Sequence, residues 1–143
     1  MDKLAQEGNP HAFKLPEARV DGYNFSFSGL KTAVLRLVKS FDGQELPEKD
    51  ICASFQETVS STLLHKLKRA LDESGYNQVV IAGGVAANSE IRKKIFNLSN
   101  EGCKVFAPPM KYCTDNAAMV ASCAYFNTNT FDDVNTEVFS RVN

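Results

Sequence analysis

The segment from residue 78 to residue 106 constrains the fold most. Gln78-Val79-Val80-Ile81-Ala82 is a short, continuous apolar run, the pattern of a strand buried on both faces. Gly83-Gly84 breaks it. Val85-Ala86-Ala87-Asn88 then leads into a helix carrying Ile91, Ile95 and Leu98. Residues 103–106 read as a second buried strand, stopped by Pro108-Pro109. Strand, helix and strand in this order predict a βαβ unit with parallel strands and a right-handed crossover. The expected class is therefore α/β, with helices packed on a small sheet.

The flanking segments read mainly as helices. Residues 2–7 look like the last turns of a helix, stopped by Gly8-Asn9-Pro10. Residues 11–27 are irregular, with Phe13, Leu15, Phe25 and Phe27 as apolar anchors. Ser28 is expected to cap an amphipathic helix whose buried face is Leu30, Ala33, Val34, Leu37 and Val38. Pro47 opens the longest helix at a first-turn position. Its stripe is Cys52, Phe55, Val59, Leu63, Leu67 and Ala70, and Ser74-Gly75 closes it. A last helix is expected to start near Asp115 and to pack Ala118, Met119, Ser122 and Cys123. Residues 138–142 read as a short edge strand. The division is a lead-in (1–27), a helical and βαβ body (28–126) and a tail (127–143), with no internal repeat.

Composition narrows the function classes. The 16 Lys and Arg nearly balance the 17 Asp and Glu, which argues against bulk nucleic-acid binding. The longest uncharged stretches, 74–89 and 116–131, are too short and too polar to span a bilayer, so no membrane partner is expected. The N-terminus carries no signal-peptide core. Cys52, Cys103, Cys113 and Cys123 form no C-x-x-C pair and read as reduced thiols of a cytoplasmic protein.

Three segments have the residue types that carry chemistry. In Ser28-Gly29-Leu30-Lys31, Ser and Gly leave first-turn N–H groups free, and Lys31 sits where the helix dipole disfavours a cation. A charged ligand or partner accounts for that placement, and so does a capped helix with a solvated Lys. At Gly83-Gly84…Asn88, a strand runs through a glycine turn into a helix, the corner where α/β proteins bind ligands. Asn88 suits a sugar hydroxyl or a base edge there, or simply an N-cap. Asp115, after a Pro-rich loop, suits a metal, or the dipole of its own helix. The basic clusters 66–69 and 92–94 read as solvated helix faces. His11 and His65 have no metal-site spacing, and no G-x-S-x-G elbow occurs.

Taken together and in order, four motifs closely resemble the tRNA threonylcarbamoyladenosine transferase family, formerly called O-sialoglycoprotein endopeptidases or glycoproteases. They are Phe-Ser-Phe-Ser-Gly-Leu-Lys-Thr at 25–32, Ala-Ser-Phe-Gln-Glu at 53–57, Ala-Gly-Gly-Val-Ala-Ala-Asn at 82–88 and Cys-Thr-Asp-Asn-Ala-Ala-Met at 113–119. The resemblance implies the C-terminal lobe of an actin, hexokinase and Hsp70 type of nucleotide-binding fold. It implies transfer of threonylcarbamoyl from its adenylate to the amino nitrogen of the adenosine beside the tRNA anticodon. By resemblance, Asn88, Gly83 and Gly84 face the nucleotide, and Ser28, Gly29 and Lys31 lie near the cleft. Asp115 matches a ligand of one divalent metal, iron or zinc.

The implied partners are tRNA, threonylcarbamoyl-adenylate, the other lobe, and paralogous and ATPase subunits of the modification complex. The family's His-x-x-x-His metal motif, glycine-rich loop and acidic ligand-binding residue find no match here. The chain thus resembles the C-terminal half alone, expected to be incomplete by itself. The alternative is a non-catalytic module that binds nucleotide or docks a partner. The old protease name has no nucleophile–base pair behind it.

Overall fold

The computed structural model describes residues 1–17 and 20–127. In chain order these form α1 (Asp2–Ala5), α2 (Ser28–Lys39), α3 (Glu48–Ser74), β1 (Gln78–Val80), α4 (Ser89–Phe96), β2 (Lys104–Phe106) and α5 (Ala117–Phe126). Short 3₁₀ turns span Gly84–Ala87, Asn97–Glu101 and Met110–Tyr112. The expected βαβ unit is present. β1 and β2 pair in parallel, with Val79 opposite Val105 and Val80 opposite Phe106. The edge strand expected at 138–142 lies outside the described residues, as does the tail beyond Asn127.

One face of this sheet carries the core. Val79, Ile91, Ile95 and Leu98 are buried together, with Leu63, Leu64, Leu67, Leu71, Ile81, Cys103 and Val105 packed around them. Burying an aliphatic side chain of this size stabilises the fold by roughly 1.5–3 kcal/mol. The other sheet face is bare. Val80 is 72% exposed and its partner Phe106 52%, so neither strand is buried on both sides as the apolar runs suggested. A continuous apolar run reports what a strand can bury; the described chain supplies a cover for one face only.

The long helix α3 organises the rest. Gly75, with φ +71°, takes the left-handed conformation that ends it, and its N–H bonds the Leu71 carbonyl. The expected stripe is only half-buried. The buried positions in the first half of α3 are Ile51, Ala53, Ser54, Gln56, Thr58, Ser60 and Thr62. Small polar residues hold this face because their hydroxyls are satisfied locally. Thr58 donates to the Ser54 carbonyl and Thr62 to the Thr58 carbonyl, both at 2.8 Å.

The lead-in runs along α3. At its start, Gly8 lies against the backbone of Lys49 and Asp50, where a Cβ would meet the Asp50 nitrogen at 2.8 Å. The Phe13 N–H then donates to Ser54 Oγ at 3.1 Å. Farther along, Lys66 Nζ donates to the Val20 and Gly22 carbonyls at 2.6 and 2.7 Å, and Tyr23 OH donates to Glu73.

The basic clusters divide: Arg69 and Lys93 are exposed as expected, whereas Lys66 and Lys94 are tied into the fold. Lys68 pairs with Glu101 at 2.7 Å, and Lys94 donates to Glu57 at 2.6 Å and to Ser61 at 2.7 Å. Burial pushes the Glu57 carboxyl up, but the hydrogen bonds from Lys94 and Ser61 and the charges of Lys94 and His11 outweigh it. The acid is held below its ordinary range.

Three helix starts differ from expectation. Ser28 is the first residue of α2, not its cap; Phe27 precedes it and offers no side-chain cap. Pro47 stands one residue before α3 rather than in its first turn. α5 begins at Ala117 because Asn116 caps it: its Oδ1 accepts from the Met119 N–H at 3.2 Å, and its Nδ2 donates to the Thr114 carbonyl at 3.0 Å. α5 buries no residue, so Ala118, Met119, Ser122 and Cys123 are not packed as expected. No helix of the described residues is long and apolar enough to cross a membrane.

Candidate functional site

Parallel pairing sends the segments that follow β1 and β2 out of the same edge of the sheet. After β1, Gly83 adopts φ +85° and ψ 171°, a region open essentially to glycine. The 3₁₀ turn Gly84–Ala87 then presents exposed Gly84 and Val85 and tucks Ala86 inside. Among the described residues, the N–H groups of Gly83, Gly84 and Val85 bond to nothing within the chain. A Cβ at Gly84 would meet open space, so internal packing does not demand a glycine there.

Asn88 closes the turn and caps α4. Its Oδ1 accepts from the Ile91 N–H at 3.0 Å. Its Nδ2 donates to Asp2 Oδ1 at 3.1 Å and to Gln56 Oε1 at 2.8 Å. Ser89 Oγ also donates to Asp2, at 2.8 Å, placing a carboxylate at the N-terminus of α4 where the helix dipole favours it. Asn88 is thus half-buried, with both amide protons spent inside the fold. It leaves to a ligand only the remaining Oδ1 lone pair and the backbone around it.

The segment after β2 is drawn to this corner by Arg92 of α4. Nη1 donates to the Ala86 carbonyl at 3.0 Å and Nη2 to the Pro108 carbonyl at 3.5 Å. Cys113, 1% exposed, packs beneath, with Sγ 3.8 Å from Nη1 and from the Pro109 carbonyl. Two residues on, Asp115 is exposed, ahead of the α5 cap rather than in its first turn, and its carboxylate has no partner among the described residues.

Sequence reasoning missed Asp2, Gln56, Arg92 and Cys113 as the scaffold of this corner. Gln56 lay inside a recognised motif with no role attached, and Arg92 was read as part of a solvated cluster. Ser28, Gly29 and Lys31 stand apart: all three are exposed, and no hydrogen bond or ion pair among the described residues ties them to Asn88 or Asp115. Among the described residues, no three His, Cys, Asp or Glu side chains come together as a metal site.

Comparison with known proteins follows the same segments. The family model described as tRNA N6-adenosine threonylcarbamoyltransferase matches residues 1–122. Proteins with that name are similar to this chain over most of its length. The one from Thermosipho africanus is 49% identical over 128 residues, covering 87% of this chain and 39% of the relative. That from Christiangramia forsetii is 51% identical over 132 residues, covering 87% and 38%. That from Thermosipho melanesiensis is 44% identical over 146 residues, covering 100% and 44%. The chain spans about two fifths of the length of these relatives. Its motifs, in their order and over nearly the whole described fold, place it in the tRNA N6-adenosine threonylcarbamoyltransferase family.

Proposed function

We propose that this chain is the C-terminal lobe of a two-lobed transferase of the actin, hexokinase and Hsp70 type. It supplies one wall of the site at which threonylcarbamoyl passes from its adenylate to the amino nitrogen of the adenosine beside the tRNA anticodon. The carrying observation is the corner itself. Three free N–H groups at an exposed glycine turn, beside Asn88 and at the carboxyl edge of a parallel sheet, suit a ligand that brings oxygen acceptors close to backbone. The phosphate and ribose of an adenylate are such acceptors.

In this reading Gly83 and Gly84 let the nucleotide approach, and Asn88 fixes the turn and offers Oδ1. Ser28, Gly29 and Lys31 contribute from α2. Lys31 is an exposed cation near the start of α2 with no ion pair among the described residues, which suits phosphate charge. The bare face of β1 and β2 and the apolar surface of α5 are where the other lobe packs. The protein acts in the cytoplasm on tRNA, alongside paralogous and ATPase subunits.

The divalent metal of the family, iron or zinc, does not find a full ligand set among the described residues. A tight transition-metal site needs three or more protein ligands in fixed geometry, and Asp115 is a single exposed carboxylate. In this reading Asp115 is one ligand of a set completed from beyond the described residues, and no step of the transfer is assigned to the metal.

Transfer to unmodified tRNA tests the reading. The purified chain alone gives no turnover, and co-expression with the remaining part of the Thermosipho africanus relative restores it. A chain inactive in both settings is the non-catalytic docking module. Turnover by the chain alone, at the rate of a full-length relative, refutes the one-lobe assignment.

A further inference from the structure

We propose that Gln56 is a positioning residue for the glycine corner, setting the orientation of the Asn88 amide from the rigid body of α3. The inference rests on the reading of that corner as ligand-facing, and its test separates the two.

The Asn88 amide has two ends with opposite demands. Toward α4 it must accept, because the Ile91 N–H points at it from 3.0 Å. Toward α1 and α3 it must donate, because Asp2 Oδ1 and Gln56 Oε1 lie 3.1 and 2.8 Å away. A flipped amide would set oxygen against two oxygens and a donor against a donor, so these three partners fix the rotamer and the polarity. The two acceptors are unequal anchors. Asp2 belongs to a helix of four residues, and its carboxylate is shared among Asn88, the Ser89 hydroxyl and Gln6 Nε2. Gln56 belongs to a helix of 27 residues, is 6% exposed, and gives its Oε1 to Asn88 alone.

Gln56 is itself oriented by this bond. Gln56 lines the cleft between α1, α3 and the start of α4 together with Gln6, Glu57 and Ser89, and its Oε1 is turned to Asn88. Nε2 makes no hydrogen bond among the described residues and is reached by solvent, since no buried side-chain nitrogen or oxygen there lacks a partner. A glutamine that leaves its donor to solvent and spends its acceptor on one side chain is placed for that side chain. Through Asn88 the effect reaches the backbone, because the Asn88 cap fixes where the 3₁₀ turn Gly84–Ala87 ends and α4 begins.

The test uses the full chain and two variants. Gln56→Met keeps length and removes the acceptor; Gln56→Glu keeps an acceptor oxygen and removes the free donor. The readout is hydrogen exchange and chemical shift of the Asn88 Nδ2 protons by NMR. In Gln56→Met one of these protons exchanges about tenfold faster, while the Ile91 N–H keeps its shift. In Gln56→Glu both stay protected. A Gln56→Met chain with unchanged Asn88 exchange overturns the proposal, and so does loss of protection in Gln56→Glu. If Gln56→Met does not fold, the Gln56→Glu arm still decides. In the two-part transfer assay, Gln56→Met raises KM for the adenylate about tenfold with little change in kcat, and Gln56→Glu restores it. Native NMR behaviour with no transfer by the reconstituted wild type refutes the functional reading and leaves the positioning role standing.

Discussion

The two sides of the β1–β2 sheet differ in how far they are satisfied. On one side, Val79 sits with Ile91, Ile95 and Leu98 under the flank of α3, and the polar groups around this packing are paired. On the other, Val80 and Phe106 face outward; α5 likewise leaves Met119, Val120, Tyr125 and Phe126 exposed. The bare side carries Gln78 and Lys104 at one end, but Val80 and Phe106 at the other are as apolar as Val79 and Val105. The difference teaches that the composition of this chain is matched to more surface than the described fold covers, and that the candidate site lies at the seam. The Gly83-Gly84 turn and the Asp115 loop leave the sheet edge between the packed side and the bare one.

Core truncation gives the largest effect expected from this contrast. Leu98→Ala removes a side chain that is 2% exposed, so it should cost about 2–5 kcal/mol of unfolding free energy, read by urea denaturation. The matching change at an exposed apolar position, Val120→Ser, is expected within about 0.5 kcal/mol. What it alters instead is association: it should lower dye binding and self-association seen by light scattering. Equal destabilisation by the two would erase the distinction between the sides.

Gly83→Ala comes next. A side chain at φ +85° and ψ 171° strains the backbone by about 1–3 kcal/mol. Gly84→Ala meets open space, and stability should change by less than about 1 kcal/mol. In the two-part transfer assay, however, Gly84→Ala should reduce activity if the turn faces the nucleotide as proposed, because the added Cβ then stands in its approach. A Gly84→Ala enzyme with unchanged transfer would remove the ligand-facing role of the turn.

A smaller effect tests the electrostatics of the packed side. The Glu57 carboxyl is held below its ordinary value in the folded chain, so its contribution is present above the unfolded value of about 4.3 and fades as pH falls through the folded one. Wild type should therefore lose more stability than Glu57→Gln between neutral pH and about pH 3, by urea melts at both. Parallel losses would place the Lys94–Glu57 contact among surface pairs of no consequence.

Much of this was legible in the sequence where one residue type has one use. Gly75 ends α3 because the left-handed cap favours glycine, and Gly83-Gly84 marks the turn after β1 for a related reason. Ile91 and Ile95 of α4, and Leu98 of the 3₁₀ turn that follows it, found the expected core. Burial on a single face was not legible, because Val79 and Val80 are the same residue with opposite fates. The polar face of α3 was equally hidden: Ser54, Thr58 and Thr62 are buried because each hydroxyl returns to its own helix or clips the lead-in, which periodicity does not record. Of the candidate site, the glycine turn and Asp115 stood out by residue type. Asp2 and Gln56 did not, since their roles exist only across contacts of 86 and 32 residues in sequence.

The most direct test of the central claim, that this chain supplies one wall of a nucleotide site, is a titration with AMP followed by NMR. It is run on the labelled chain alone and again with the remaining part of a full-length relative. The account predicts weak or no shifts for the chain alone. With the complement, saturable shifts should centre on Gly83, Gly84, Val85 and Asn88, with Val79 and Leu98 unmoved. Binding of equal strength with and without the complement, or shifts that bypass the glycine corner, would contradict it.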